Sequence, residues 1–246
     1  MNDFVVSFQD VKRQFGKVDA VNGVTFSVKQ GSVFGLLGTN GAGKTTAIRM
    51  LVGHLMTDSG CIEVFGSDPR SHSAQTLQRV AYVSDQMQLP GRMPLAEVFA
   101  LNEQFFAKWD HALALQLVNR FGINPSSRYC DLSLGQKRRA VLVQAVCQGA
   151  ELLVLDEPFS GLDVKIRRQC LDLLLEAAVD RGQTIVVSSH LLNDVERIVD
   201  TVAILDAGRL VLTGDLEQLK SDLRRVRIGR AAEDAGVQQL LQRCDV

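Results

Sequence analysis

Apolar and polar positions alternate along the first thirty residues. Val5 to Phe8 ("VVSF") is a short apolar run, and in "VNGVTFSV" Val24, Phe26 and Val28 alternate with Thr25 and Ser27. That period of two marks strands with one buried face, so a half-exposed antiparallel sheet is predicted at the start of the chain. After the turn residues Lys29, Gln30 and Gly31 comes the unbroken apolar run "VFGLLG", the signal of a strand buried on both faces of a parallel sheet. The spacing then becomes helical, with Ala47, Ile48, Leu51, Val52 and Leu55 on one face of a helix starting at Lys44.

"CIEVFG" and "VAYVSD" read as further strands. Between Gln86 and Ala150 the pattern turns helical, over Leu95 to Phe106, His111 to Phe121 and Leu134 to Cys147, with Pro90, Pro94 and Pro125 in the connections. This predicts a helical insertion at about 87–150. Parallel-strand character returns at "LLVLD", followed by a helix over Val164 to Val179, the strand "TIVVSS" and a short helix from Leu191 to Val199. "VAILDAGRLVL" then places two apolar runs about an Asp-Ala-Gly turn, a hairpin.

Composition narrows the partners. Lys+Arg 27 against Asp+Glu 28 leaves a net charge of -1, which gives no broad electrostatic reason to bind nucleic acid or an anionic membrane. The cysteines, Cys61, Cys130, Cys147, Cys170 and Cys244, are scattered without a C-x-x-C pair, which argues against a disulfide framework or zinc site and suits a reducing cytosol. "MNDFVVSFQDVK" lacks the basic start and apolar core of a secretory leader, so no cleavage is expected. The apolar runs stop far short of the roughly 18 to 20 residues of a membrane-spanning helix.

The chemistry begins at the end of the buried run. "GTNGAGKTT" fits G-x-x-x-x-G-K-[ST], a strand-loop-helix turn whose backbone N–H groups wrap phosphates. Its lysine neutralises the terminal phosphates and its hydroxyl ligates Mg²⁺. Gly38, Asn40, Gly41, Gly43, Lys44, Thr45 and Thr46 are the candidate contacts. The fold class is therefore α/β, a P-loop NTPase core with a mainly parallel sheet, an N-terminal antiparallel β subdomain and a helical insertion. "LLVLDEP" puts Asp156 and Glu157 at the end of an apolar strand, where acids are costly unless a cation compensates them. In a phosphate-loop enzyme Asp156 would hold the metal, and Glu157 would take the proton of the attacking water. A second stretch, "DLSLGQKRR", sets Ser133 ahead of a helix and so looks like another anion-binding N-terminus.

In this order the motifs resemble the nucleotide-binding subunits of ATP-binding cassette (ABC) transporters, over almost the whole chain. "GTNGAGKTT" looks like Walker A, Gln86 in "YVSDQ" like the Q-loop glutamine, and "LSLGQ" like the ABC signature. "LLVLDEP" looks like Walker B, "SGLD" ending at Asp163 like the D-loop, and His190 in "SSHLLNDVE" like the switch histidine. The resemblance implies that His190 contacts the γ-phosphate, that Gln86 senses Mg²⁺ and water, and that Phe15 stacks on adenine. Taken alone, Phe15 reads more often as a core aromatic, His190 as a structural residue at a strand end, and Ser133 as a simple helix cap.

The resemblance further implies ATP and Mg²⁺ as cofactors. It implies a head-to-tail dimer, expected to be a homodimer, in which Ser133, Gly135 and Gln136 of one chain close over ATP bound to the other. It also implies separate transmembrane subunits, engaged through Met87 to Leu95, and a place at the cytoplasmic face of the membrane. Three departures stand out: Leu134 in place of a usual glycine, "KRR" at Lys137 to Arg139, and no proline shortly before Walker B. They fit single-cassette ATPases of export systems. An ABC-type ATPase driving a soluble assembly is the alternative. The cassette is expected to span 1–220, with a C-terminal extension at 221–246 carrying Arg224, Arg225, Arg227 and Arg230.

Overall fold

Val33–Gly38, the unbroken apolar run, lies at the centre of the larger of two sheets in the computed structural model, which describes residues 3–71, 76 and 78–222. In chain order the strands are β1 (Phe4–Phe15), β2 (Val18–Lys29), β3 (Val33–Gly38), β4 (Ser59–Val64), β5 (Val80–Val83), β6 (Leu152–Leu155), β7 (Thr184–Ser189), β8 (Thr201–Asp206) and β9 (Arg209–Asp215). The helices are α1 (Lys44–Leu51), α2 (Leu95–Phe105), α3 (His111–Arg120), α4 (Leu134–Cys147), α5 (Val164–Arg181) and α6 (Leu216–Asp222). The large sheet runs β5-β6-β7-β3-β8-β9, parallel throughout except for the β8–β9 hairpin. The β5, β6, β7 and β3 strands thus end on one edge, the edge at which ligands bind in open α/β sheets.

The smaller sheet, β2-β1-β4, is antiparallel, and its strands run longer than the alternation predicts because bulges carry β1 past Asp10, whose φ is 45°. Its aromatic face joins the large sheet directly. Phe8, Phe26 and Phe34 stack in a row with centroids 4.4 and 5.0 Å apart, so β1, β2 and β3 share one core. Insertion helices α2 and α3 sit beside each other, with Trp109 against Phe99 at 5.6 Å, and α4 buries Ala140 to Val143 and Ala145 to Cys147.

Two helical expectations change. Helix α1 stops at Leu51, because Gly53 turns left-handed and the N–H groups of His54 and Leu55 both return to the Arg49 carbonyl. Leu191 to Val199 is not a continuous helix: a 3-10 turn at Leu192–Asp194 leads into a second turn anchored by buried Val195, Ile198 and Val199. Too few of its positions face the core to support a longer helix.

Residues up to Leu216 form one compact unit, and a second begins at Glu217, whose described residues belong to α6. The arginines of the extension expected at 221–246 lie outside the described residues. Among the described residues no helix is long and apolar enough to cross a membrane.

Candidate functional site

The phosphate loop bends where β3 gives out. Gly43 caps α1 at φ 102°, and a Cβ there would strike the Ala20 carbonyl oxygen, so only glycine closes this turn. Helix α1 opens with no acidic residue in its first turn and no side-chain cap. Its N–H groups and positive dipole end are therefore free for an anion. Lys44 is only 5 % exposed. Its ammonium folds back to donate to the carbonyls of Gly38 (2.7 Å) and Thr39 (3.1 Å) and pairs with Glu157 Oε1 at 3.2 Å. Between this loop, Glu157 and the Val18–Ala20 side of β2 lies a cleft of about 220 Å³, with Asn40, Gly41, Thr45 and Thr46 on its wall.

The carboxylates arrive from the neighbouring strands. Asp156, 2 % exposed just past β6, accepts hydrogen bonds through Oδ1 from Thr45 Oγ1 at 3.2 Å and from Ser188 Oγ at 2.7 Å. Burial pushes its carboxyl above the usual range, and the charges of Glu157 and Asp85 push the same way. Glu157 sits at φ 49°, a left-handed conformation costing a side-chain-bearing residue on the order of 1–3 kcal/mol. Its N–H is held by Ser188 Oγ at 2.9 Å. His190 Nδ1 lies 2.9 Å from Glu157 Oε2. An ionised carboxylate only accepts, so Nδ1 carries the proton and the ring is fixed by that bond.

Lys44, Thr45, Asp156, Glu157 and His190 are therefore brought together. Two participants lie outside the motif reading. Ser188 ties both acids to β7, and its one visible signal is a hydroxyl inside the apolar run "TIVVSS". Asp85, at the end of β5, adds negative charge that Asp156 feels.

Asp156 also dictates a pH effect. Its folded pKa is raised, so its contribution to stability is complete below its unfolded value of about 4 and is lost as pH rises through the folded value. At neutral pH the buried charge is a cost. Asp156→Asn is expected to raise the melting temperature of the ligand-free protein at pH 7 by about 2–4 °C per kcal/mol relieved, with the gain shrinking toward pH 4. Calorimetry at both pH values checks this, and an unchanged or lower melting temperature at pH 7 contradicts it.

Other expected site residues stand apart from the cleft. Gln86 is exposed in the turn after β5 and does not line it. Phe15 is 48 % exposed, opposite Val18 at the tip of the β1–β2 hairpin, with the Arg13 guanidinium 4.8 Å from its ring centre. It is not a core aromatic. In the segment from Met87 to Leu95, Leu89 and Leu95 are buried, which removes them as contacts for another protein and leaves Gln88, Pro90 and Arg92 exposed.

Ser133 caps α4 in a reciprocal box. Its Oγ accepts from the Gln136 N–H at 3.3 Å while Gln136 Oε1 accepts from the Ser133 N–H at 2.9 Å. The simple-cap reading is locally true, yet the Ser133 hydroxyl proton and the N–H groups of Leu134 and Gly135 are not consumed by that box. Leu134 is 58 % exposed and reaches toward Gly161, 3.9 Å from where a Cβ there would lie. Gly135 faces inward against Ile166 of α5, and a Cβ there would force the tip of that side chain to move. Asp163 caps α5 by accepting from the Ile166 N–H at 2.9 Å. Ser133, Leu134, Gly135, Gln136 and Asp163 do not line the phosphate-loop cleft.

Residues 21–160 match the family described as ABC transporter. The chain belongs to that family. It is 33 % identical over 214 residues to a Nod factor export ATP-binding protein I of Burkholderia lata, covering 85 % of this chain and 70 % of the relative. An ATP-binding subunit of an ABC transporter superposes with a TM-score of 0.77 at 26 % identity, over 89 % of this chain and 92 % of the other. A bacterial ABC transporter cassette solved as a dimer gives 0.75 at 18 % identity, over 86 % and 98 %. This chain is an ATP-binding, ATP-hydrolysing subunit of a transporter, built on the P-loop core that the fold displays.

Proposed function

We propose that this subunit drives export, working as a pair of identical cassettes at the cytoplasmic face of a membrane beneath separate membrane-spanning subunits. The observation that carries the reading is the division of the site. Lys44, Thr45 and Glu157 line one cleft, with Asp156 bonded to Thr45 and His190 to Glu157, whereas the donors at the start of α4 do not line it. A second copy supplies what each half lacks. The Ser133 hydroxyl and the Leu134 and Gly135 N–H groups of one chain then meet the γ-phosphate held by the other.

The phosphate-loop N–H groups and Lys44 bind the phosphates, and Phe15 stacks on the base from the hairpin tip. Thr45 Oγ1 and Asp156 Oδ1, hydrogen-bonded to each other at 3.2 Å, fit Mg²⁺, which takes few protein ligands and completes its shell with water and phosphate oxygen. No cluster of three or more His, Cys, Asp or Glu exists among the described residues to suit a metal caged wholly by protein. Bound there, the ion would neutralise charge on the phosphates. Glu157 accepts the proton of the attacking water, and His190, fixed by its Nδ1–H bond, orients that water and the γ-phosphate. Gln86, on the β5 turn, would sense a bound ion, and exposed Gln88, Pro90 and Arg92 beyond it meet the membrane subunits. Asp163 and the D-loop link the two cassettes.

Export rather than uptake is supported by the relative named for Nod factor export. A balanced net charge of -1 supports a protein partner over nucleic acid. Affinity isolation of the full chain from detergent-solubilised native membranes is expected to bring down a polytopic membrane protein in stable stoichiometry. Isolation with soluble proteins alone would overturn the transport assignment and favour a soluble assembly ATPase.

A further inference from the structure

Arg139, one turn along α4 from Gly135, is half-buried where three helices meet. Its Nε donates to the Gly135 carbonyl at 3.1 Å, and its Nη1 reaches the Phe121 carbonyl at 3.1 Å and Gln169 Oε1 at 3.0 Å. The guanidinium lies 5.5 Å from the centre of the Phe121 ring. Each partner belongs to a different element. Gly135 is in the first turn of α4, Phe121 is the C-cap of α3, where the dipole is negative, and Gln169 is on α5. The charge is felt in the interior as well: burial pushes the Cys170 thiol up to about 12, and Arg139 is what pulls it back.

The route from this joint leads to the chemistry. Gly135 packs on Ile166, the residue whose N–H is capped by Asp163, and the Ser160 N–H donates to the Glu157 carbonyl at 3.2 Å. Helix α5, the D-loop and Glu157 form one connected stretch, and Arg139 fastens the Ser133 turn to it. We infer that Arg139 is a positioning residue for ATP-driven pairing, holding the Ser133 turn in fixed register with α5 and the D-loop so that it meets the other cassette's nucleotide. The arginine fork suits this role because it reaches three acceptors at once, and an apolar side chain would remove this donor from the Phe121 carbonyl and Gln169 Oε1.

The inference rests on the two-copy reading, and the test separates the two. Dimer formation with Mg-ATP is measured by sedimentation for Glu157→Gln, alone and combined with Arg139→Met, Arg139→Lys or Gln169→Leu, alongside ADP affinity and binding stoichiometry of each monomer. With Arg139→Met the dimer is expected to weaken at least tenfold while ADP binds at one per chain within twofold of the parent. Arg139→Lys, able to keep part of the bonding, restores only part of the loss. Gln169→Leu weakens the dimer less and adds nothing on the Arg139→Met background. A dimer within twofold of the parent in both Arg139→Met and Gln169→Leu overturns the inference, as does an equal loss of ADP binding, which marks general destabilisation. Failure of Glu157→Gln alone to dimerise sinks the two-copy reading itself.

Discussion

Glu157→Gln is expected to lower ATP turnover by about 10²- to 10⁴-fold, the range spanned by loss of a general base, while nucleotide binding is retained and an ATP-bound dimer accumulates. The amide keeps the shape and still accepts the His190 Nδ1–H at its present 2.9 Å position, so the ring stays in place. It also removes one of the charges that raise the Asp156 carboxyl. What it lacks is basicity. Steady-state phosphate release and sedimentation with Mg-ATP read both halves of the prediction, and turnover within threefold of the parent removes Glu157 as the base.

Lys44→Met is expected to weaken ATP and ADP binding by roughly one to two orders of magnitude, since a charge-assisted bond to the phosphates is worth about 1.5–3 kcal/mol and each 1.4 kcal/mol is a factor of ten. Methionine preserves much of the length of the stem but none of the three contacts of the ammonium with Gly38, Thr39 and Glu157. The loop should keep its path, because Gly43 and the Ala20 carbonyl set the turn independently of the lysine. Fluorescent-nucleotide titration is the check. Near-parental affinity would mean that the loop N–H groups alone hold the phosphates.

Much of this arrangement is legible in the sequence because it follows from local pattern. The run Val33–Gly38 announces a two-sided buried strand, and the glycine spacing after it announces the loop. Asp156 and Glu157 betray themselves by standing where an apolar strand ends. The failures are tertiary. Ser188 looks like any polar interruption of a strand until β7 is laid beside β6. The left-handed backbone of Glu157 has no sequence signal, because the strain is imposed by neighbours. Gly135 seemed a nucleotide contact and is equally a packing glycine, a fact that depends on Ile166 from a distant helix. The segment from Leu191 to Val199 misled because its apolar spacing counts residues without knowing which faces meet a core.

Leu134 sharpens the two-copy account. Its side chain lies out over Gly161 and its N–H remains outside the capping box, so the donors of the Ser133 turn coexist with the bulkier residue. The most direct measurement is therefore a mixing experiment. Chains carrying Lys44→Met and chains carrying Ser133→Ala, each with little activity alone, are combined at equal amounts with Mg-ATP. The account predicts that mixed dimers regain turnover, because one of their two composite sites pairs an intact phosphate loop with an intact Ser133 turn. Activity in the mixture equal to the sum of the two separate chains contradicts it.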